Sequence, residues 1–158
     1  MKKLLFILVL GAMVSCQQKA KDATATEGAA KDSTEMKLDP AMGALQTKIF
    51  EGVLPSQGKG LRYTLTVKIQ EKSDKGQYEL LKTYIEGYEG KDLTYVSRGT
   101  VQVIKGTKAK KEAIVWELTP EKNNEISYYQ VEGDKVIMLS QNMKKTPDWK
   151  KYVLNIKK

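Results

Sequence analysis

The sequence predicts an all-β fold: a small antiparallel meander barrel of about eight strands behind a disordered N-terminal tether. Three observations lead there. From about residue 46 apolar and polar residues alternate with period two, the connections are short and rich in Gly, Lys, Asn, Asp and Pro, and no segment carries a convincing helical period. With 158 residues, 41% hydrophobic and 29% charged, the chain has the composition of one soluble domain with one core.

The clearest strand spans residues 61–70, where Leu61, Tyr63, Leu65, Val67 and Ile69 alternate with Arg62, Thr64, Thr66, Lys68 and Gln70. Ser73-Asp74-Lys75-Gly76 supplies turn residues, and 77–85 resumes the extended pattern, which predicts a hairpin. Further apolar runs follow at 93–104, 112–118, 126–131, 135–140 and 149–156, and a strand near 48–54 brings the number to about eight. Short links join antiparallel neighbours, because parallel ones need a crossover of a dozen or more residues. Closure into a barrel removes exposed edges; an open sandwich is the other arrangement the pattern allows.

The first fifteen residues read as a secretion signal, with Lys2 and Lys3 ahead of an apolar run at 4–10. The apolar stretch at 4–14 is shorter than the roughly 20 residues a bilayer crossing needs. Met13-Val14-Ser15-Cys16 resembles the lipobox of bacterial lipoproteins. That resemblance implies cleavage before Cys16, lipid on its thiol and usually an acylated new amino terminus; an incidental cysteine after an ordinary signal is the alternative. Several acyl chains anchor firmly, each buried methylene contributing about 0.8 kcal/mol. The expected location is the cell envelope, lipid-anchored to a membrane through Cys16. Gln17 stands where some bacteria place the Asp that retains lipoproteins at the inner membrane, so the outer membrane is expected.

Residues 17–45 are rich in Ala, Lys, Asp, Thr and Glu and free of aromatics, too little apolar surface to offset ordering. With Cys16 they form the expected linker, 16–45, ahead of a barrel domain at 46–158. Pro40 and Gly43 discourage a long helix there. As a coil the linker reaches on the order of 30 Å.

The formal net charge is +8, part of which leaves with Lys2 and Lys3. The lysines are scattered and no nucleic-acid motif accompanies them, so nucleic acid is not an expected partner. There is one cysteine and no histidine, which rules out an internal disulfide and the common catalytic bases. Glu86 with Glu89 and Glu121 with Glu125 sit in loops, where acids are usually solvated. No phosphate loop or nucleophile elbow is present. The chain is therefore expected not to be an enzyme and to need no cofactor.

The tyrosines and tryptophans lie mostly in strands, and their ordinary role is packing. Tyr63, Tyr95, Trp116 and Tyr128 are the candidates to line a pocket. An eight-stranded barrel is just wide enough for its own side chains or for one small ligand.

The stretch 50–67, FEGVLPSQGKGLRYTLTV, resembles the opening of the N-terminal domain of the NlpE family of outer-membrane lipoproteins. The family's Gly-x-Leu-Pro is matched by Gly52, Leu54 and Pro55, its Gly-Ile by Gly60 and Leu61, and its Thr-Leu-Thr-Leu by Thr64 to Val67. Ser97-Arg98-Gly99-Thr100 is similar to a later strand entry, and Tyr128-Tyr129-Gln130-Val131 with Lys135 to Leu139 to a late hairpin. The resemblance covers most of 48–158 and implies a small lipocalin-like barrel associated with copper resistance and envelope-stress signalling. Ser56-Gln57-Gly58-Lys59 stands where the family carries Cys-x-x-Cys. Soft metals such as Cu(I) want thiolate, thioether or imidazole, so copper binding does not carry over. Met138 and Met143 are the remaining thioethers that could meet, and Met is a routine core filler. Two functions follow: envelope-stress or copper-related sensing through contact with an envelope protein partner, or carriage of a small apolar ligand.

Overall fold

The computed structural model describes residues 36–56, 58–108, 110–122 and 125–158. The signal peptide, Cys16 and residues 17–35 of the tether lie outside them. Eight strands follow in order: β1 (Leu45–Leu54), β2 (Leu61–Gln70), β3 (Lys75–Tyr88), β4 (Lys91–Lys105), β5 (Ile114–Pro120), β6 (Ser127–Glu132), β7 (Lys135–Leu139) and β8 (Val153–Ile156). Each pairs antiparallel with the next, and β8 returns to β1 through Phe50↔Ile156 and Glu51↔Asn155, so the sheet closes. The antiparallel meander barrel expected from the alternation is the fold observed.

The period-two pattern does the sorting. On β2, Leu61, Tyr63, Leu65 and Val67 are buried while Arg62 and Lys68 face water. Inward side chains meet around Phe50, Leu65, Val101, Leu118, Tyr129 and Leu154, each at most 1% exposed. Phe50 meets Trp116 edge-on with ring centres 5.7 Å apart, filling the barrel's midsection from β1 to β5. Closure depends on Gly52, where a Cβ would stand 2.6 Å from the Val153 carbonyl oxygen. No other residue lets β8 approach β1 so closely.

The β3–β4 hairpin runs beyond the expected ends at 85 and 93, to Tyr88 and from Lys91. Its turn residues Glu89 and Gly90 both have positive φ, 49° and 73°, as a tight two-residue hairpin requires. The segment expected as a strand at 149–156 instead begins with a 3-10 turn, Trp149–Lys151, and only then enters β8. Lys145 meets the Glu132 carboxylate at 2.7 Å, and the Trp149 ring takes Lys145 and Lys135 at 4.4 and 5.8 Å from its centre. These contacts lay the segment over the outside of β6 and β7, where the register neighbours Val115, Gln130 and Ile137 are buried.

The chain enters at the end formed by the β2–β3, β4–β5 and β6–β7 turns. There a 3-10 turn, Pro40–Met42, follows Asp39, whose carboxylate accepts from the Ala41 N–H. Buried Gln70 donates to the carbonyls of Asp39 and Gly43 at 2.7 and 2.9 Å and accepts from the Asp39 N–H at 3.0 Å.

Candidate functional site

At the far end of the barrel a cleft of about 690 Å³ opens between the β3–β4 hairpin and the start of β6. It exists because β4 loses one neighbour early. β4 pairs with β3 from Lys91 onward, but with β5 only from Gly99 to Lys105. The last bond on the β5 side runs from the Glu121 N–H to the Arg98 carbonyl. By strand alternation Val96, Thr94 and Asp92 turn their backbone N–H and C=O groups to that same side. Among the described strands none pairs with this edge.

Tyrosines dominate the lining. Tyr63 lies beneath the Lys82 ammonium, 5.8 Å from its ring centre, and the Tyr78 hydroxyl shares a hydrogen bond with Ser97 at 3.1 Å. Tyr95 packs edge-on against Tyr84 with ring centres 5.8 Å apart. Tyr129 is fully buried at the floor, and its hydroxyl makes no hydrogen bond among the described residues. Burial pushes the pKa of Tyr63, Tyr78 and Tyr129 upward, reinforced by Tyr84 at Tyr63 and by Tyr63 at Tyr129. The hydrogen bond to Ser97 opposes the rise at Tyr78 without reversing it. These hydroxyls stay protonated donors, suited to binding rather than to nucleophilic attack.

Comparison with protein families matches the NlpE N-terminal domain over residues 50–148. The chain belongs to the NlpE family. No curated protein and no solved structure gives a match. Family membership places the protein, at family level, among cell-envelope lipoproteins. The NlpE match opens at Phe50, where β1 meets β8, and runs past β7.

In this NlpE-family barrel Tyr63, Tyr95 and Tyr128 come together at the far cleft. Trp116 does not. It is a core residue against Phe50, and it also borders a smaller cleft of about 370 Å³ at the entry end, with Val67, Val103, Lys48 and Lys105. Cys16 lies outside the described residues. Tyr78 and Tyr129 were not singled out from the sequence, although they share the inward parity of Leu80 and Val131. The open edge of β4 left no local signal at all, since it depends on where β5 ends.

Lys59, in the loop between β1 and β2, pairs with Glu86 across to the end of β3 at 2.6 Å. Met138 packs against the core, and Met143 sits in the β7–β8 connection with φ of 54°. Among the described residues no group of three or more Cys, Asp or Glu side chains is placed to hold a metal ion.

Proposed function

We propose that this NlpE-family protein is a lipoprotein held on Cys16 at the outer membrane, and that its barrel works without catalysis, through protein contact, in envelope-stress or copper-related sensing. The observation that carries this reading is the open edge of β4 beside the tyrosine cleft. The hairpin that bears it exposes Tyr88 at 65%, Tyr95 at 55% and Val96 at 49%. An unpaired strand edge is a ready template for an extended segment of another chain, with neighbouring pockets reading its side chains. Exposed aromatics beside such an edge are the usual anchors of a protein interface. The filled midsection, with Phe50, Leu65 and Tyr129 buried, favours contact over carriage of a ligand in the interior. Copper enters this reading through the response and not through coordination.

The test places a photo-crosslinking residue at Tyr88 or Val96 of the full chain in living cells, with exposed Lys68 on β2 as the control position. A discrete envelope-protein adduct formed from the hairpin and absent from the control supports the reading. Equal adducts from both positions, or none from either, overturn it.

A further inference from the structure

The barrel is electrically uneven along its axis. The entry-end segments, residues 36–48, 68–77, 103–114, 131–136 and 156–158, carry twelve lysines and six acids. The rest of residues 36–158 carries ten basic and nine acidic residues, including both arginines, Arg62 and Arg98. Lys72, Lys108, Lys110 and Lys111 are exposed at the entry end, the last three on the single loop between β4 and β5. The same end exposes aliphatic side chains that nothing in the barrel covers: Leu38 at 53%, Leu45 at 40%, Ile114 at 45% and Met42 at 38%.

The chain also enters here. Gln70 ties Asp39 and Gly43 to this rim, and nineteen residues, 17–35, separate Cys16 from Met36. Fully extended, that length spans at most roughly 65 Å.

We propose that the entry end is a seat for an anionic phospholipid surface, its lysines meeting headgroup phosphates while Leu38, Met42 and Ile114 dip among the headgroups. The inference rests on the lipid anchor proposed for Cys16 and adds a second, electrostatic hold to it. A polybasic patch combined with acyl chains is the pairing that makes peripheral attachment stable. Each lysine brought within a Debye length of an anionic bilayer strengthens binding by about fivefold. Exposed aliphatics mixed with lysines, and the absence of arginine, suit a lipid surface better than nucleic acid, which favours arginine forks. The consequence is orientation: with the entry end seated, the tyrosine cleft and the open β4 edge point away from the bilayer.

The test uses the unacylated chain beginning at Gln17, which keeps every strand of a barrel that closes on itself between β1 and β8. Its sedimentation with phosphatidylcholine vesicles is compared with and without phosphatidylglycerol. Binding is expected only with the anionic lipid and is expected to fall as salt rises. The combined Lys108→Glu, Lys110→Glu and Lys111→Glu chain is expected to bind at least roughly tenfold more weakly. The far-end counterpart, Lys59→Glu, Lys91→Glu and Lys122→Glu, is expected to bind as the parent does, with circular dichroism confirming both folds. Equal binding to neutral and anionic vesicles, no binding to either, or equal losses in the two triple variants overturns the proposal. Because no acyl chain is present, these outcomes are independent of Cys16; the anchor itself is read by membrane fractionation of the full chain carrying Cys16→Ala.

Discussion

Gln70 and Asp39 hold each other through a reciprocal pair of hydrogen bonds, amide nitrogen to carbonyl at 2.7 Å and backbone N–H to amide oxygen at 3.0 Å. Thirty-one residues apart, they pin the entering chain to the rim, and the Glu71 and Lys72 N–H groups add bonds to the Ala44 and Met42 carbonyls. Gln70 is only 4% exposed, so its amide has no water to fall back on. Gln70→Ala is expected to cost about 1–2 kcal/mol, since it removes three hydrogen bonds and takes a donor from the partly buried carbonyls of Asp39 and Gly43. Amide exchange at Asp39 and Met42 is expected to quicken by roughly tenfold or more while that of β2 is unchanged. Equal protection of these amides in the variant would show that the turn holds itself.

Barrel closure has a comparably local dependence. At Gly52 any side chain runs into the Val153 carbonyl and a Leu154 methyl. Gly52→Val is expected to destabilise by about 3 kcal/mol, combining overpacking with loss of the β1–β8 ladder. Thermal unfolding measures the loss, and exchange protection missing first at Phe50, Glu51, Asn155 and Ile156 would locate it.

How much of this was legible in the sequence follows from what each feature depends on. The alternation at Leu61 to Ile69 is a local property, and it placed β2 because the inward face needs every second residue apolar. Tyr63 was found for the same reason. The seam between β1 and β8 joins Phe50 to Ile156 across the whole domain, so closure could be argued only from the cost of free edges. Trp149 carries a strand-like neighbourhood, yet its place is fixed by Lys135, which arrives from β7, and by Lys145, which Glu132 at the end of β6 holds. Tyr95 was legible as an aromatic in a strand; that its strand has an open edge depends on β5 ending at Pro120, a fact of register and not of composition.

Tyr129 sits with a hydroxyl buried and unbonded among the described residues, the costly way to bury a polar group. Tyr129→Phe is expected to leave stability unchanged or raise it by up to about 1 kcal/mol, while Tyr129→Ala is expected to lose about 3–5 kcal/mol through the cavity it opens. The pH behaviour follows with its sign. Burial raises the folded-state pKa above the ordinary 10.0, so this contribution is whole below pH 10 and is lost as pH climbs above it. Denaturant titrations at neutral and alkaline pH are expected to show a smaller alkaline loss in Tyr129→Phe than in the parent.

Glu132 has the opposite sign. Its Oε1 accepts from Lys145 Nζ and from buried Gln130 Nε2, both at 2.7 Å, and Lys135 stands 3.7 Å from Oε2. The hydrogen bond from Lys145 lowers its pKa below the ordinary 4.5, helped by the charges of Lys145 and Lys135 and opposed by burial. A depressed folded-state value means the stabilisation is complete above pH 4.5 and drains away as pH falls through the folded-state pKa. Because the carboxylate is partly in water, Glu132→Gln is expected to cost less than about 1 kcal/mol at neutral pH. The gap between parent and variant is expected to close in acid, and to shrink with added salt. The same variant tests the outer cover of β6 and β7: if Lys145 and Trp149 lie there because Glu132 draws them, tryptophan fluorescence is expected to shift in Glu132→Gln at neutral pH, and in the parent as acid protonates the same group. A variant whose fluorescence and acid stability matched the parent throughout would show that packing around Ile137 holds the segment without the charge.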